Sequence, residues 1–127
     1  MKRMVCSIAL VLILTGLSVD TAAAQDLPDG VTQAMVDQGK TIFAGPGLCA
    51  ACHGPDGTGV VGPDLTDAEW FIGAGEYADI VASIIKGVAA GEAKNAMGAI
   101  MPPRGGTSIT DEQVNAVAAY VWTLSHK

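Results

Sequence analysis

Basic side chains are scarce in this chain of 127 residues: seven Lys and Arg stand against thirteen Asp and Glu, a formal net charge of −6. Nucleic acid is therefore not the expected partner, because grip on a phosphate backbone comes from Lys and Arg. Aromatic residues are only 5% of the chain, which limits the core a small domain can build from its own side chains. Metal-binding side chains are also few. There are three Cys and two His in all, and a closed zinc site takes four ligands. No apolar run is long enough to cross a bilayer comfortably: the one over 5–19 has fifteen residues, where a span takes about 20. Strand alternation, internal repeats and low-complexity tracts are missing too. These absences leave a small, acidic, helical protein.

What is present begins with a leader. Lys2 and Arg3 precede the apolar run over 5–19, which only Ser7, Thr15, Gly16 and Ser18 interrupt. Thr21-Ala22-Ala23-Ala24-Gln25 then offers a small-x-small cleavage point after Ala24. That order of charged, apolar and small residues marks an export signal. An uncleaved anchor is the alternative, since tilt and local thinning admit short spans. Arg3 stands alone, so a twin-arginine signal is absent, and Cys6 lies at the head of the apolar run, where it cannot be a lipidated first residue. The expected organisation is a signal peptide over 1–24 and one domain over 25–127. That domain holds five Lys and Arg against twelve Asp and Glu. Such a surface suits a partner with a basic docking patch.

The centre of the domain is Cys49-Ala50-Ala51-Cys52-His53. C-x-x-C-H is the attachment signature of a c-type haem. Positions i, i+3 and i+4 share one helix face, so Cys49, Cys52 and His53 can address one flat ligand. The two thiols can form thioethers with the porphyrin vinyl groups, and the imidazole can bind the iron. Ala50 and Ala51 are small enough to let the porphyrin edge lie against the backbone. The competing readings fit less well. With the leader removed no third Cys remains, and the other His, His126, is at the tail. A thioredoxin-like dithiol wants a βαβ setting. Haem is joined to thiols outside the energy-transducing membrane, so the expected compartment is the bacterial periplasm.

Around this motif the spacing predicts helices. One covers residues 31–44, with Val31, Ala34, Met35, Gln38, Ile42 and Phe43 on one side. Gly39 inside it costs roughly 1 kcal/mol against Ala, which suggests a close crossing with another helix. A glycine-punctuated loop follows the motif, through Gly57, Gly59, Gly62 and Pro63. Thr66 with Glu69 looks like a capping box ahead of a short helical turn. Residues 76–88 read as a helix with Ile80, Val81, Ile84, Ile85 and Val88 apolar. Residues 89–109 have no period, and so long a loop in a small domain points to function. Thr110 and Gln113 form a second capping box, opening a helix to about residue 125.

An iron held by His53 has another face to close. A thioether there favours the ferrous state and raises the potential, whereas an open position binds small gases or peroxide. Met35 sits on the first helix, where packing is the default role. Met101 is preferred, because Pro102 biases it to extended backbone and its loop can wrap a ligand. Met97, His126 or an open site are the alternatives. Pro63 has a carbonyl and no competing amide hydrogen, which suits it to accept the second ring hydrogen of His53. A plain turn proline is the other reading. Trp70 can donate its indole hydrogen to a propionate or serve as core. Arg104 reads as a lone surface arginine, with a propionate partner as the alternative.

These residues resemble the small class I cytochromes c: Cys49-Ala-Ala-Cys52-His53, the Gly62-Pro63 step, Met101-Pro102 and a last helix carrying Tyr120. The resemblance implies an all-α small cytochrome c fold, three to five helices wrapped around one covalently bound haem c. It implies His53 and Met101 as axial ligands, Pro63 as acceptor for the His, and a right-angled crossing of Gly39 and Phe43 with Tyr120. More narrowly, Asp64-Leu65-Thr66-Asp67 with Trp70, Met101-Pro102 and Ala118-Ala119-Tyr120-Val121-Trp122 are similar to the cytochrome c modules of cbb-type haem–copper oxidases. Those subunits carry two haem motifs and a membrane helix, so a free-standing relative of one module is expected. After Met-Pro, where those modules tend to have an aromatic, this chain has Pro103-Arg104. The function implied is electron transfer between redox proteins, with no catalysis of its own. A permanently docked cytochrome subunit, or a haem sensor or peroxidase with an open position, are the alternatives.

Overall fold

Thr32 starts the first helix because its hydroxyl accepts from the Met35 amide at 3.3 Å, satisfying one of the donors a helix start leaves open. In the computed structural model, which describes residues 26–127, that helix is α1, Gln33–Ala44. The expected signal peptide lies outside the described residues. The haem motif forms a four-residue helix α2, Ala50–His53, with Cys49 at its N-cap. Helix α3 is Tyr77–Lys86, and α4 is Asp111–Ser125. Among the described residues there is no strand, only a single bridge between Val88 and Met101, so the architecture is all-α.

Helix α4 is the spine. Its capping box forms as the sequence predicts: Gln113 N donates to the Thr110 hydroxyl and Thr110 N to the Gln113 side chain. Residues from Ala116 through Val121 are buried on every side, so α4 is surrounded and not merely amphipathic. Helix α1 crosses it where both surfaces are small. A Cβ on Gly39 would stand 1.9 Å from the Ala116 carbonyl oxygen, so only glycine lets the backbones approach this closely. One turn on, the Phe43 and Tyr120 rings meet edge to face at 5.3 Å, a geometry that adds about 0.5–1.5 kcal/mol beyond burial. Helix α3 adds Ile80 and Ile84 to the same core, and the Tyr77 hydroxyl donates to the Asn115 carbonyl on α4.

Two expectations need correction. Buried positions on α1 are Val36, Gly39, Ile42 and Phe43, whereas Ala34 and Gln38 are exposed. The face is set by where α4 lies, and the apolar pattern alone does not fix it. The turn expected at Thr66 is also different. Asp64 accepts from both the Thr66 amide and its hydroxyl, each at 2.7 Å, and Asp67 accepts from the Glu69 amide. These short side-chain bonds compete with helical ones, and the segment stays irregular up to Trp70.

Candidate haem site

The four elements leave a cavity of about 310 Å³, with Ile80 and Ile84 of α3 and Val117 and Val121 of α4 at its back. Cys49, Cys52, His53, Pro63, Trp70 and Met101 all line it. The six residues picked out in the sequence therefore share one wall-to-wall space, although 52 positions separate the first from the last.

One wall is α2 and the loop that folds back on it. The Cys52 carbonyl accepts from the amides of Val60, Val61 and Gly62, and the His53 carbonyl from Gly59 at 2.7 Å. This brings Pro63 beside the imidazole, with His53 Nδ1 2.9 Å from the Pro63 carbonyl oxygen. A carbonyl only accepts, so Nδ1 carries the hydrogen and Nε2 keeps its lone pair. Burial holds the imidazole below the ordinary histidine value, with the Pro63 carbonyl opposing. At neutral pH the ring is thus neutral, the form that binds metal. Gly62 lies flat under it: a Cβ there would stand 2.9 Å from His53 Cε1.

The thiols fit attachment better than redox exchange. Cys49 and Cys52 are not bonded to each other. Burial pushes the Cys49 thiol up to about 11, with its own backbone hydrogen bond opposing and Cys52 adding to the rise. A disulfide-exchange nucleophile needs the opposite shift. Among the described residues no group of three or more His, Cys, Asp or Glu is placed to hold a metal ion, which leaves the zinc reading unsupported. Of the two alanines expected beside the porphyrin, Ala51 lines the cavity and Ala50 does not. A long apolar space, two free thiols on one rim and an imidazole of fixed tautomer are what a covalently held haem requires.

The opposite wall is the loop from residue 87 to 109. Val88 N donates to the Met101 carbonyl at 2.8 Å and Met101 N to the Val88 carbonyl at 3.0 Å. Gly87 is required beside them, since a Cβ there would stand 2.4 Å from the Met101 oxygen. Met101 is half-buried on the cavity, whereas Met97 is 70% exposed and outside it. His126 is exposed at the end of α4, stacked on Trp122 with ring centroids 4.1 Å apart. Trp70 is half-buried, its indole lying on Gly75, where a Cβ would meet Nε1 at 2.2 Å. Arg104 is not a lone surface residue. It donates to the Ile109 carbonyl at 2.9 Å and pairs with Asp111.

The sequence places Val88 on the helix over 76–88, whereas α3 ends at Lys86 and the Val88 backbone pins Met101 instead; the role of Gly62 beneath the ring was missed. A single bridge carries no periodic signal. The Gly62-Pro63 step did carry one, since a residue without a side chain next to the expected acceptor leaves room for the imidazole.

Comparison with known proteins agrees with this geometry. Residues 36–125 match the Cytochrome c family. The cbb3-type cytochrome c oxidase subunit CcoP of Cereibacter sphaeroides is 37% identical over 94 residues, covering 72% of this chain and 28% of that protein. Subunit FixP of Sinorhizobium medicae is 36% identical over 94 residues, covering 73% and 31%. The chain thus spans under a third of the length of these relatives. Cytochrome cL from Methylophaga aminisulfidivorans shares the fold, with a TM-score of 0.52 at 18% identity, over 75% of this chain and 56% of that one. The chain belongs to the cytochrome c family, an all-α electron-transport domain that carries one haem c bound covalently in the Cys49-Ala-Ala-Cys52-His53 motif.

Proposed function

We propose that the domain is a periplasmic electron carrier with His53 and Met101 as axial ligands, passing electrons from a dehydrogenase or quinol-oxidising complex to a terminal oxidase or reductase. The observation that carries this reading is the joint placement of His53 and Met101 on one cavity, each fixed by a backbone carbonyl or bridge. The bound haem contributes reversible one-electron storage at iron. The Pro63 carbonyl orients the imidazole and raises its basicity. Met101 closes the other side, so neither ligand has to move when charge changes. Ile80, Ile84, Val117 and Val121 keep water from the back of the site. Trp70 lines the same cavity, and in this reading its indole hydrogen goes to a propionate. No side chain acts as nucleophile or general base, so the reading assigns the domain no catalysis of its own.

The partner is a redox protein with a basic docking patch. Asp56, Asp64, Asp67, Glu69, Glu76 and Asp79 fall in a stretch, residues 54–85, that contains no Lys or Arg. Docking through such charges weakens with salt and buries little surface, under about 1,200 Å². The export leader supports the periplasm. No described helix is long and apolar enough to cross a membrane. A second reading, a module docked permanently in an oxidase, is favoured by the CcoP and FixP relatives. Co-purification with such a complex would select it.

A redox titration of the holoprotein under carbon monoxide tests the carrier against a sensor or peroxidase. The carrier gives one reversible one-electron step, and its ferrous spectrum is unchanged by the gas. A ferrous spectrum that shifts at once would show an open position and overturn the proposal.

A further inference from the structure

Arg104 is one of two non-glycine residues among those described with positive φ, at φ 54° and ψ 30°. L side chains enter this left-handed region at a cost, and such a conformation persists only where its surroundings hold it. Here they do so from several directions. The guanidinium donates to the Ile109 carbonyl at 2.9 Å and pairs with Asp111 at the start of α4. The Arg104 carbonyl accepts from the Thr107 hydroxyl at 2.8 Å. The next residue, Gly105, seats against the other wall: a Cβ on it would stand 2.7 Å from the Gly47 carbonyl oxygen. That same oxygen lies 3.4 Å from Cys49 Sγ. The turn Pro103–Gly106 therefore ties the chain just beyond Met101 to the most buried helix and to the segment that leads into Cys49.

We propose that Arg104, through Asp111 and Ile109, is a positioning residue for Met101, fastening the chain just beyond it while the Val88 bridge fastens Met101 itself. This rests on Met101 being the second axial ligand. The bridge fixes the backbone at Met101 itself but leaves the chain from Pro102 onward free to swing outward. The Arg104 clasp removes that freedom and keeps the thioether in the cavity. Loosening the clasp raises the fraction of molecules with Met101 withdrawn, and an external ligand then binds in proportion to that fraction.

The test uses ferric holoprotein and imidazole as the probe. Arg104→Asn tolerates the left-handed backbone but cannot reach Asp111, and imidazole should bind it about tenfold more tightly than the parent. Asp111→Asn, which keeps the bond to Ile109, should give a smaller gain, about threefold, because the Asp111 side of that ion pair is largely exposed. Tyr77→Phe removes a bond between α3 and α4 away from this loop, and it should lower the unfolding midpoint without changing imidazole affinity. Affinity for Arg104→Asn within twofold of the parent would overturn the proposal, as would an equal gain in Tyr77→Phe. If Arg104→Asn does not fold, Asp111→Asn decides by the same comparison. Met101→Ala separates the two claims. Loss of the thioether-to-iron band in Met101→Ala with no effect of Arg104→Asn sinks the positioning role alone, whereas retention of that band sinks the ligand and the clasp together.

Discussion

The two walls of the haem cavity are built by different means. The Cys49–His53 wall is local: the loop from Gly59 to Pro63 folds back within ten residues and gives its amides to Cys52 and His53 and its carbonyl to the imidazole. The Met101 wall is remote and thin. It hangs on two backbone bonds to Val88, thirteen positions back, and on one arginine beyond it. Within the loop, Asn95 supplies much of the order, its side chain bonded to Met97 N and to both the amide and carbonyl of Ala99. A dense local wall suits a covalent anchor. A wall closed by a few long-range bonds is the one that can open, so exchange at the iron should occur on the methionine side.

Breaking the local wall should have the largest effect. Cys49→Ala or His53→Ala is expected to yield poorly folded protein, because the porphyrin fills much of the centre of a domain short of aromatic side chains. Far-UV circular dichroism checks this, and a native-like spectrum from apoprotein would contradict it. Gly39→Ala comes next. The methyl group meets the Ala116 carbonyl, so α1 and α4 must part, at a cost of about 3 kcal/mol in denaturant unfolding of the holoprotein. A loss under 1 kcal/mol would show that the crossing tolerates side chains. Gly62→Ala and Pro63→Ala sharpen the comparison within the His wall. The first pushes on the ring and should shift the reduction potential, while the second keeps the carbonyl and should leave it nearly unchanged. The smallest effect is expected far from either wall: Thr110→Ala removes a cap of α4 and should cost about 1 kcal/mol with no change in the haem spectrum.

How much of this was legible in the sequence follows the same division. The haem motif, the Pro63 acceptor and the Thr110–Gln113 capping box are short-range arrangements, each with its own chemical reason, and they form as expected. The Gly39 crossing was legible too, because a glycine inside a helix needs a reason. Thr66 misled because Asp64, two residues earlier, offers a better local acceptor. Val36 was passed over because the direction of the α1 face depends on α4, 80 residues on. The period-free loop hid both of its fastenings. Nothing near Val88 or Met101 marks a single bridge, and Arg104 meets Asp111 only because the chain turns left-handed at Arg104 and Gly105. The Pro-Arg-Gly-Gly run was the available signal, as glycines next to a charged residue mark a turn able to carry it back.

The most direct measurement is the ferric spectrum of Met101→Ala holoprotein beside the parent, followed by a redox titration of both. If the loop wall closes the iron through this thioether, the red charge-transfer band vanishes and the potential falls. An unchanged band and potential would mean that another group faces His53 across the haem.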